Sequence, residues 1–222
     1  MTAPGETPPL VKSSDGPVSV LINRRISQPI SARLAPLGVT PNVATAIALL
    51  IGIAGSAAFA VQIWWLGGLL IQFSSIFAGV DGEIARRTGA GSTYGDFLDT
   101  VTDRFVEYAS FAGIAWGLAQ VERWEDWAWP LGLAAVGGAF MLASASEKYR
   151  SVMHQNYPKR QLEPLFAYLA SGRDVRVFYL AVAAVIGTWN VDVFAWAVIA
   201  IVAVMHLNWL YRLVILRGRM DR

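Results

Sequence analysis

The sequence contains no cysteine among its 222 residues, and its only two histidines, His154 and His206, stand alone. Disulfide bonds and thiolate metal sites are therefore excluded, and we expect structural roles for the histidines. Charged residues are also scarce, at 15% of the chain, whereas 55% of the residues are hydrophobic. This composition is typical of a protein in a lipid bilayer, so we predict an all-α membrane protein with a single membrane domain.

The amino-terminal region lacks the apolar core of a signal peptide. Residues 1–16 carry Pro, Gly, Ser and Thr without periodicity, which predicts a disordered cytosolic tail. From Pro17 to Leu37, apolar residues recur at helical spacing beside Arg24, Arg25 and Arg33. This pattern predicts an amphipathic juxtamembrane helix whose arginines meet anionic lipid headgroups.

Residues 38–222 contain six stretches long enough to cross a bilayer, for which about 20 apolar residues are needed. Thr40 is a suitable N-cap for the first stretch, and Pro41 a suitable first helical residue. The six predicted transmembrane helices are Pro41–Ala60, Ile63–Ile84, Tyr94–Leu118, Trp127–Ser146, Val175–Trp189 with some extension, and Val193–Leu216.

The charges of the connecting loops orient these helices. Lysine and arginine concentrate on one side, which also holds both termini, and this side is expected to be cytosolic. The opposite loops are mainly acidic. An aromatic belt is predicted at that opposite face, from Trp64, Trp65, Trp124, Trp127, Trp129 and Trp189.

Carboxylates inside apolar segments are costly and indicate a partner or a function. Asp99 and Asp103 are four residues apart and share one helix face, with Gly95 one turn earlier. Asp81, followed by Gly82, gives the preceding helix a similar acidic face. Two such faces opposite each other would form an oxygen-lined pocket suited to Mg²⁺ or Mn²⁺, and glycines would let a phosphate ester approach the backbone.

A structural role explains these carboxylates poorly. Asp99 and Asp103 repel each other without a cation, and no lysine or arginine occupies the same helix stripe. They lie about 8–14 Å into the third span from its cytosolic end, at 1.5 Å per residue. By contrast, Arg104 and Glu107 are three residues apart and predict an intramembrane ion pair that holds helices together.

A second cluster of charges lies between the fourth and fifth spans. Arg173 and Arg176 are three residues apart at the start of a helix, where two guanidinium groups and the helix dipole favour a phosphate group. Lys148 and Arg150 are candidates for the same site.

The loop between these spans also contains Lys159 and Arg160. For these two residues, ordinary positive-inside charge and a role in the site are equally open. The apolar spacing from Gln161 to Ala170 predicts a short surface helix.

Together with neighbouring glycine, alanine and arginine residues, the aspartates form the pattern D-G-x2-A-R-x8-G-x3-D-x3-D. This pattern resembles the signature of the CDP-alcohol phosphotransferase family. That signature begins with a further aspartate three residues before the D-G pair, and this sequence has Ala78 there. The matching residues are Asp81, Gly82, Ala85, Arg86, Gly95, Asp99 and Asp103.

The resemblance implies a six-helix membrane enzyme that transfers a phosphoryl-alcohol unit from a CDP-alcohol to an acceptor hydroxyl and releases CMP. It implies two Mg²⁺ or Mn²⁺ ions on Asp81, Asp99 and Asp103, with Asp103 a ligand or the general base. Arg173, Arg176, Lys148 and Arg150 are then expected to hold the phosphate of a phosphorylated polyol acceptor. The residues expected to contact the nucleotide are Asn42, Thr45, Asp81, Gly82, Ala85, Arg86 and Gly95.

The sequence around Asp81 and Asp99 looks most like the branch that uses inositol phosphates, similar to di-myo-inositol-phosphate-phosphate synthases. The expected partners are a CDP-alcohol, the polyol phosphate, the bilayer of the cell membrane and a second copy of the chain, with no nucleic acid. A phosphatidyltransferase that uses CDP-diacylglycerol also fits the motif, but it would need a lipid-sized apolar opening beside the acidic pocket.

The acidic cluster is also compatible with a cation transporter or with a protein that only binds nucleotide. A transporter would carry acidic residues through the whole depth of the bilayer, whereas the far half of every predicted span is almost purely apolar. A family member that has lost activity through Ala78 would bind nucleotide without turning it over.

Overall fold

The structure is a computed structural model that describes residues 16–169 and 172–220, with side chains described as far as residue 217. Within these ranges the chain is helical and contains no strand. The predicted tail, residues 1–16, lies outside the described residues except for Gly16.

The helices occur at the predicted places. The amino-terminal helical segment comprises a π-helical turn, Ser19–Asn23, helix α1, Arg24–Leu34, and a 3-10 turn, Ala35–Leu37. The helices that follow are α2 (Pro41–Ala60), α3 (Trp64–Thr88), α4 (Thr93–Leu118), α5 (Glu125–Met153), α6 (Lys159–Leu162), α7 (Pro164–Leu169), α8 (Arg173–Gly187) and α9 (Val191–Met220).

One predicted helix is divided into two. The surface helix expected from Gln161 to Ala170 is interrupted at Glu163, which separates α6 from α7. Glu163 has φ −140° and ψ 59°, because the ring of Pro164 disfavours the helical conformation in the residue before it.

The ends of three helices are set by local chemistry. Thr40 caps α2, as predicted, by accepting a hydrogen bond from the Val43 backbone N–H at 3.4 Å. Ser92 caps α4 in the same way with the N–H of Gly95, at 3.0 Å. Helix α3 ends at Gly89, whose φ of 70° is a left-handed conformation that glycine adopts without strain. The short loop from Gly89 to Ser92 therefore joins two well-defined helix ends.

Helix α2 lies between α3 and α4 and packs along both, whereas α3 and α4 touch each other little. The approach of α2 to α4 depends on Gly113, because a Cβ atom there would overlap the Ser56 carbonyl. Helix α8 packs on α3 and α9, and α5 packs on α4 and α9. The two predicted acidic faces therefore meet beside the first turns of α2 rather than through direct contact of their helices.

The apolar core lies among α2, α3, α4, α5, α8 and α9. Two tryptophans predicted for the aromatic belt belong to this core instead, since Trp64 and Trp124 are buried. Trp64 packs on Phe194, with ring centroids 5.1 Å apart, and Trp124 Nε1 donates to Asp192 Oδ1 at 2.7 Å. The exposed tryptophans of the predicted belt are Trp65, Trp127, Trp129 and Trp189.

Three helices in the described part of the chain are long and apolar enough to cross a membrane: Pro41–Ala60, Glu125–Met153 and Val191–Arg217. The chain is therefore an integral membrane protein by length and composition. The other three predicted spans form α3, α4 and α8, which are not among these three helices. Helices α3 and α4 carry the polar and charged residues of the motif, and α8 has only 15 residues.

Helix α1 turns part of its polar face inward, which corrects the expectation that all its arginines meet lipid headgroups. Arg24 is buried, and its Nη1 donates to Glu83 Oε1 of α3 at 2.9 Å. Ser27 Oγ donates to the same oxygen at 2.7 Å. A buried Glu83 carboxylate without a cation would strongly destabilise the folded protein, and Arg24 supplies the compensating charge. Arg25 and Arg33 remain exposed.

Candidate active site

The residues of the sequence motif surround an open cleft, which we call the outer acidic cleft. It lies where the first turns of α2 and α4 meet the last turns of α3. Six of the seven residues expected to contact a nucleotide line it, and Arg86 does not. The lining consists of Pro41, Asn42, Thr45, Asp81, Gly82, Ala85, Ala90, Gly91, Ser92, Gly95, Asp96 and Asp99.

Asp81 is held in a fixed orientation at the floor of this cleft. Its side chain is buried and accepts a hydrogen bond from Thr45 Oγ1 at 2.6 Å. The backbone N–H of Gly82 donates to its other carboxylate oxygen. The Thr45 hydroxyl therefore orients the Asp81 carboxylate across the α2–α3 contact.

Glycines keep the outer acidic cleft open. A Cβ atom on Gly82 would lie 3.2 Å from Arg86 Nη1, so a side chain there would displace the guanidinium. A Cβ atom on Gly95 would lie 3.1 Å from Ser92 Oγ and 3.6 Å from Asn42 Oδ1. A larger residue at either position would fill space that a nucleotide phosphate could occupy.

A narrow gap between the same helices, which we call the inner acidic cleft, continues from the outer one through Thr45, Asp81 and Asp99. Ala78 lines this space one helical turn before Asp81 and faces the same cleft as Asp99 and Asp103. A carboxylate at position 78 would therefore join the other three aspartates.

The donor chemistry of the two clefts fits a hard divalent cation, since the aspartates and hydroxyls that line them offer oxygen atoms only. Within the described residues, however, no three His, Asp or Glu side chains stand close enough to hold one ion. Two features explain this arrangement. Ala78 supplies no carboxylate, and Asp103 is engaged by an arginine.

That arginine is Arg173, the first residue of α8, whose Nη1 lies 2.5 Å from Asp103 Oδ1. The sequence showed no cation on the helix stripe of Asp99 and Asp103, and the structure supplies one from a distant helix. This contact results from the packing of the helices. The spacing of residues along a single helix does not reveal it.

On the other side of Arg173 lies a space of about 220 Å³, which we call the basic cavity. It contains three of the four residues expected to bind the acceptor phosphate. The fourth, Lys148, is exposed and does not line it. The lining consists of Arg104, Leu142, Ala143, Ser146, Glu147, Arg150, Asn156, Tyr157, Lys159, Arg173 and Arg176.

Arg176 was expected to present its guanidinium to a ligand, but it is largely committed to the protein. Its Nε and Nη2 lie 2.9 Å and 2.5 Å from Glu107 Oε1. Glu107 also accepts from Arg104 Nη1 at 2.9 Å, which confirms the predicted Arg104–Glu107 ion pair. Glu107 therefore joins α4 to α8, and Arg176 contributes charge to the wall of the cavity.

Arg150 is more loosely held, as its Nε lies 3.5 Å from Glu147 Oε2 and both side chains are more than half exposed. Lys159 is a further cation of the cavity, and the sequence left its role open. Burial, reinforced by the charges of Arg212, Arg176 and Arg104, lowers the pKa of Lys159 to about 8, although Asp174 acts in the opposite direction. Lys159 is therefore poised to gain or lose its charge near neutral pH.

Several lining residues were not singled out from the sequence. Asp96 is three residues before Asp99, so helical spacing could have identified it. Ala90 and Gly91 lie in the loop between the two halves of the motif. No local signal connects Ser146 or Asn156 with Arg173, because these residues lie on separate segments that only the tertiary structure brings to one cavity.

The structure is a bundle of membrane helices with an oxygen-lined cleft beside a basic cavity. These features define a class of membrane protein suited to bind charged phosphate compounds. Residues 38–171 match the sequence profile of the CDP-alcohol phosphatidyltransferase family. The chain belongs to this family.

Two curated proteins illustrate the relationship. The chain is 32% identical over 193 residues to a bifunctional IPC transferase and DIPP synthase of Archaeoglobus fulgidus, a match that covers 86% of this chain and 37% of that protein. It is 36% identical over 107 residues to an archaetidylinositol phosphate synthase of Pyrococcus horikoshii, covering 47% and 56% of the two chains. The chain thus spans little more than a third of the length of the bifunctional relative.

Solved structures share the fold. A crystal structure of Mycobacterium tuberculosis phosphatidylinositol phosphate synthase with CDP-DAG bound superposes with a TM-score of 0.67 at 20% identity, covering 85% of this chain and 92% of that one. A structure of the same enzyme in complex with manganese and citrate gives a TM-score of 0.51 at 24% identity, covering 76% and 88% of the two chains.

Proposed function

We propose that this chain is a CDP-alcohol phosphotransferase that transfers a phosphoryl-alcohol unit to a phosphorylated polyol, an inositol phosphate, and releases CMP. The observation that carries the proposal is the junction of the acidic clefts and the basic cavity at Asp103 and Arg173. One compartment suits a metal-neutralised pyrophosphate, and the other suits a phosphate ester. The name of the Pyrococcus relative, an archaetidylinositol phosphate synthase, agrees with this acceptor class.

The donor is proposed to lie in the outer acidic cleft. Asn42, Gly82, Ala85 and Gly95 would contact the nucleotide, and Thr45 would orient Asp81. Arg86 does not line the cleft, but its Nη1 lies close to Gly82, so it would act from the edge of the nucleotide site.

Asp81 and Asp99 would hold a divalent ion, Mg²⁺ or Mn²⁺, and Asp103 would approach it or act as the base. Such an ion, when bound, neutralises the charge that develops on the pyrophosphate. We propose two ions for the chemistry. This chain has only three of the four family carboxylates, because Ala78 replaces the first.

The acceptor is proposed to place its phosphate in the basic cavity, against Arg173, Arg150 and Lys159, within the positive field of Arg176. Lys148 would attract the acceptor from the cavity entrance. The acceptor hydroxyl oxygen would then form a bond to the phosphorus that carries the donor alcohol. The bond from that phosphorus to CMP breaks, and the hydroxyl proton passes to Asp103.

We further propose that α3, α4 and α8 cross the membrane with the three strongly apolar helices, as in a six-span bundle. The active site and both termini would then lie on the cytosolic side of the cell membrane, because Arg25, Arg33 and Arg87 are exposed on that side. Residues 17–37 would lie on the membrane surface, and the working unit would be a homodimer.

A phosphatidyltransferase using CDP-diacylglycerol is the second candidate, and the CDP-DAG named for the mycobacterial enzyme is the observation in its favour. It requires an apolar opening beside the acidic cleft. A large apolar cavity of about 600 Å³ does exist, but Trp124, Trp127 and Trp196 line it at the start of α5 and α9. It thus lies at the opposite end of the bundle from Asp81. A cation transporter is less favoured, because the carboxylates of the clefts cluster at one end.

A CMP-release assay on the purified chain tests the proposal. Candidate donors are CDP-inositol and CDP-diacylglycerol, and candidate acceptors are myo-inositol phosphate and glycerol phosphate, with Mg²⁺ or Mn²⁺. Ala78→Asp should be assayed in parallel, so that a missing ligand is not mistaken for a wrong substrate. We expect CMP only with a donor, a polyol phosphate and a divalent ion together. No CMP from any combination with either form would contradict the proposed activity.

A further inference from the structure

The Asp103–Arg173 ion pair stands between two compartments. Asp103 lines the inner acidic cleft, and Arg173 lines the basic cavity. Their side chains are 26% and 12% exposed, so neither group is sealed away from ligands. A ligand that enters either compartment meets one member of this pair.

The neighbouring pair, Arg176 and Glu107, behaves differently. Its side chains are only 2% and 3% exposed, and Glu107 is also bound by Arg104. Separation of that pair would leave a buried charge without compensation, which is strongly unfavourable. The partly exposed Asp103–Arg173 pair can exchange partners at a much lower cost.

Arg173 has an unused donor on the same guanidinium. Its Nε is buried and has no hydrogen-bond partner, while Nη1 contacts Asp103. A buried donor without a partner is unfavourable, and a phosphate group can satisfy two guanidinium nitrogens at once. A phosphate at this position would, however, bring its negative charge next to the Asp103 carboxylate, and like charges repel.

We propose that Asp103 and the phosphate of an acceptor compete for Arg173, so that their ion pair is a latch that opens when a phosphate ester enters the basic cavity. Opening releases the Asp103 carboxylate toward the acidic cleft. Its role there as a base rests on the proposed function, whereas the competition for Arg173 does not. Without an acceptor, Arg173 holds the carboxylate and keeps it from activating water against the donor.

The test is isothermal titration of the purified full chain in detergent, with inorganic phosphate and myo-inositol phosphate as probes. Removal of the competing carboxylate by Asp103→Asn should lower the Kd of both probes by about tenfold, within the 5- to 150-fold range usual for coupled sites. Asp103→Ala should change the Kd in the same direction, which guards against a folding defect of one variant. An unchanged or raised Kd, including no measurable binding by any form, would overturn the latch.

Glu147→Gln is the matched control. It removes one negative charge from the wall of the same cavity but leaves Asp103 and Arg173 in contact. We expect a gain of less than threefold, as for a single exposed charge. A gain equal to that of Asp103→Asn would mean that overall charge, not the latch, limits phosphate binding, and would overturn the proposal. Because the titration measures no turnover, failure of the CMP-release assay does not affect its result.

Discussion

Asp99 is the carboxylate that belongs to both acidic clefts on the α4 side, opposite Asp81 on α3. Asp99→Asn keeps the size of the side chain but removes its charge, so a divalent ion would lose one of its two nearest ligands. We expect the Mg²⁺-dependent binding of a CDP-alcohol to be abolished in isothermal titration. Asp96→Asn, at the exposed rim of the outer cleft, is the control and should weaken binding much less. Undiminished binding by Asp99→Asn would show that the ion does not bind in this cleft.

Ala78 offers the opposite experiment, in which a ligand is added. Position 78 lines the inner acidic cleft with Asp81, Asp99 and Asp103. Ala78→Asp should strengthen Mg²⁺ binding and raise the rate of CMP release by orders of magnitude, because a firmly held ion stabilises the developing charge better. Ala78→Asn separates the effect of charge from that of size and should not reproduce the gain. If the chain with Ala78 already works at full rate and Ala78→Asp adds nothing, catalysis rests on Asp81, Asp99 and Asp103 alone.

Lys159 should make acceptor binding depend on pH. Its pKa is lowered to about 8, so its charge is present below that pH and is lost as the pH rises through it. The acceptor phosphate, with a second pKa of about 6, stays doubly charged over this range. We therefore expect the KM for the acceptor to rise several-fold between pH 7 and pH 9. Lys159→Arg keeps its charge and should flatten this profile, whereas an unchanged slope in that variant would assign the effect to another group.

At the scale of the helices, an ion pair between Arg24 and Glu83 joins α1 to α3. Glu83 lies two residues after Asp81 in the chain. The ion pair is buried, and Ser27 Oγ donates to the same carboxylate oxygen, Glu83 Oε1. This contact fixes the last turns of α3, which contribute Asp81, Gly82 and Ala85 to the outer acidic cleft.

Arg24→Ala would leave Glu83 buried without its cation, at a cost of about 3–5 kcal/mol. We expect a clearly lower thermal midpoint of unfolding in detergent. Arg25→Ala removes an exposed arginine from the same helix and should change stability by less than about 0.5 kcal/mol. The double variant Arg24→Met with Glu83→Gln should recover much of the loss. Equal midpoints for Arg24→Ala and Arg25→Ala would show that the pair does not hold α1 in place.

The positions of the helices were largely predictable from the sequence, because helix formation and capping are local. Thr40 and Pro41 start α2 as expected, and the six long helices occur where apolar stretches occur. The surface helix was not predicted correctly because Pro164 divides it. The inward turn of Arg24 was also missed, since its partner Glu83 is 59 residues away.

At the scale of the whole molecule, the absence of cysteine gives a direct test of the six-span arrangement. Every introduced thiol is unique in this chain. In intact cells, a membrane-impermeant maleimide should label Glu122→Cys, in the loop between α4 and α5. It should label Arg160→Cys, in the α6 region, only after the membrane is permeabilised. Labelling of both variants from the same side would contradict the proposed topology.

The sequence alone determined the membrane class, the helical content and the grouping of Asp81, Gly82, Gly95, Asp99 and Asp103 on two helix faces. These properties follow from composition and from a repeat of 3.6 residues, which are local. Only the tertiary structure decided which cation meets which carboxylate. Arg173 reaches Asp103, Arg176 reaches Glu107 and Arg24 reaches Glu83 because α8 and α1 both pack on α3. Such pairs depend on the relative placement of whole helices, and no spacing along a single helix encodes that placement.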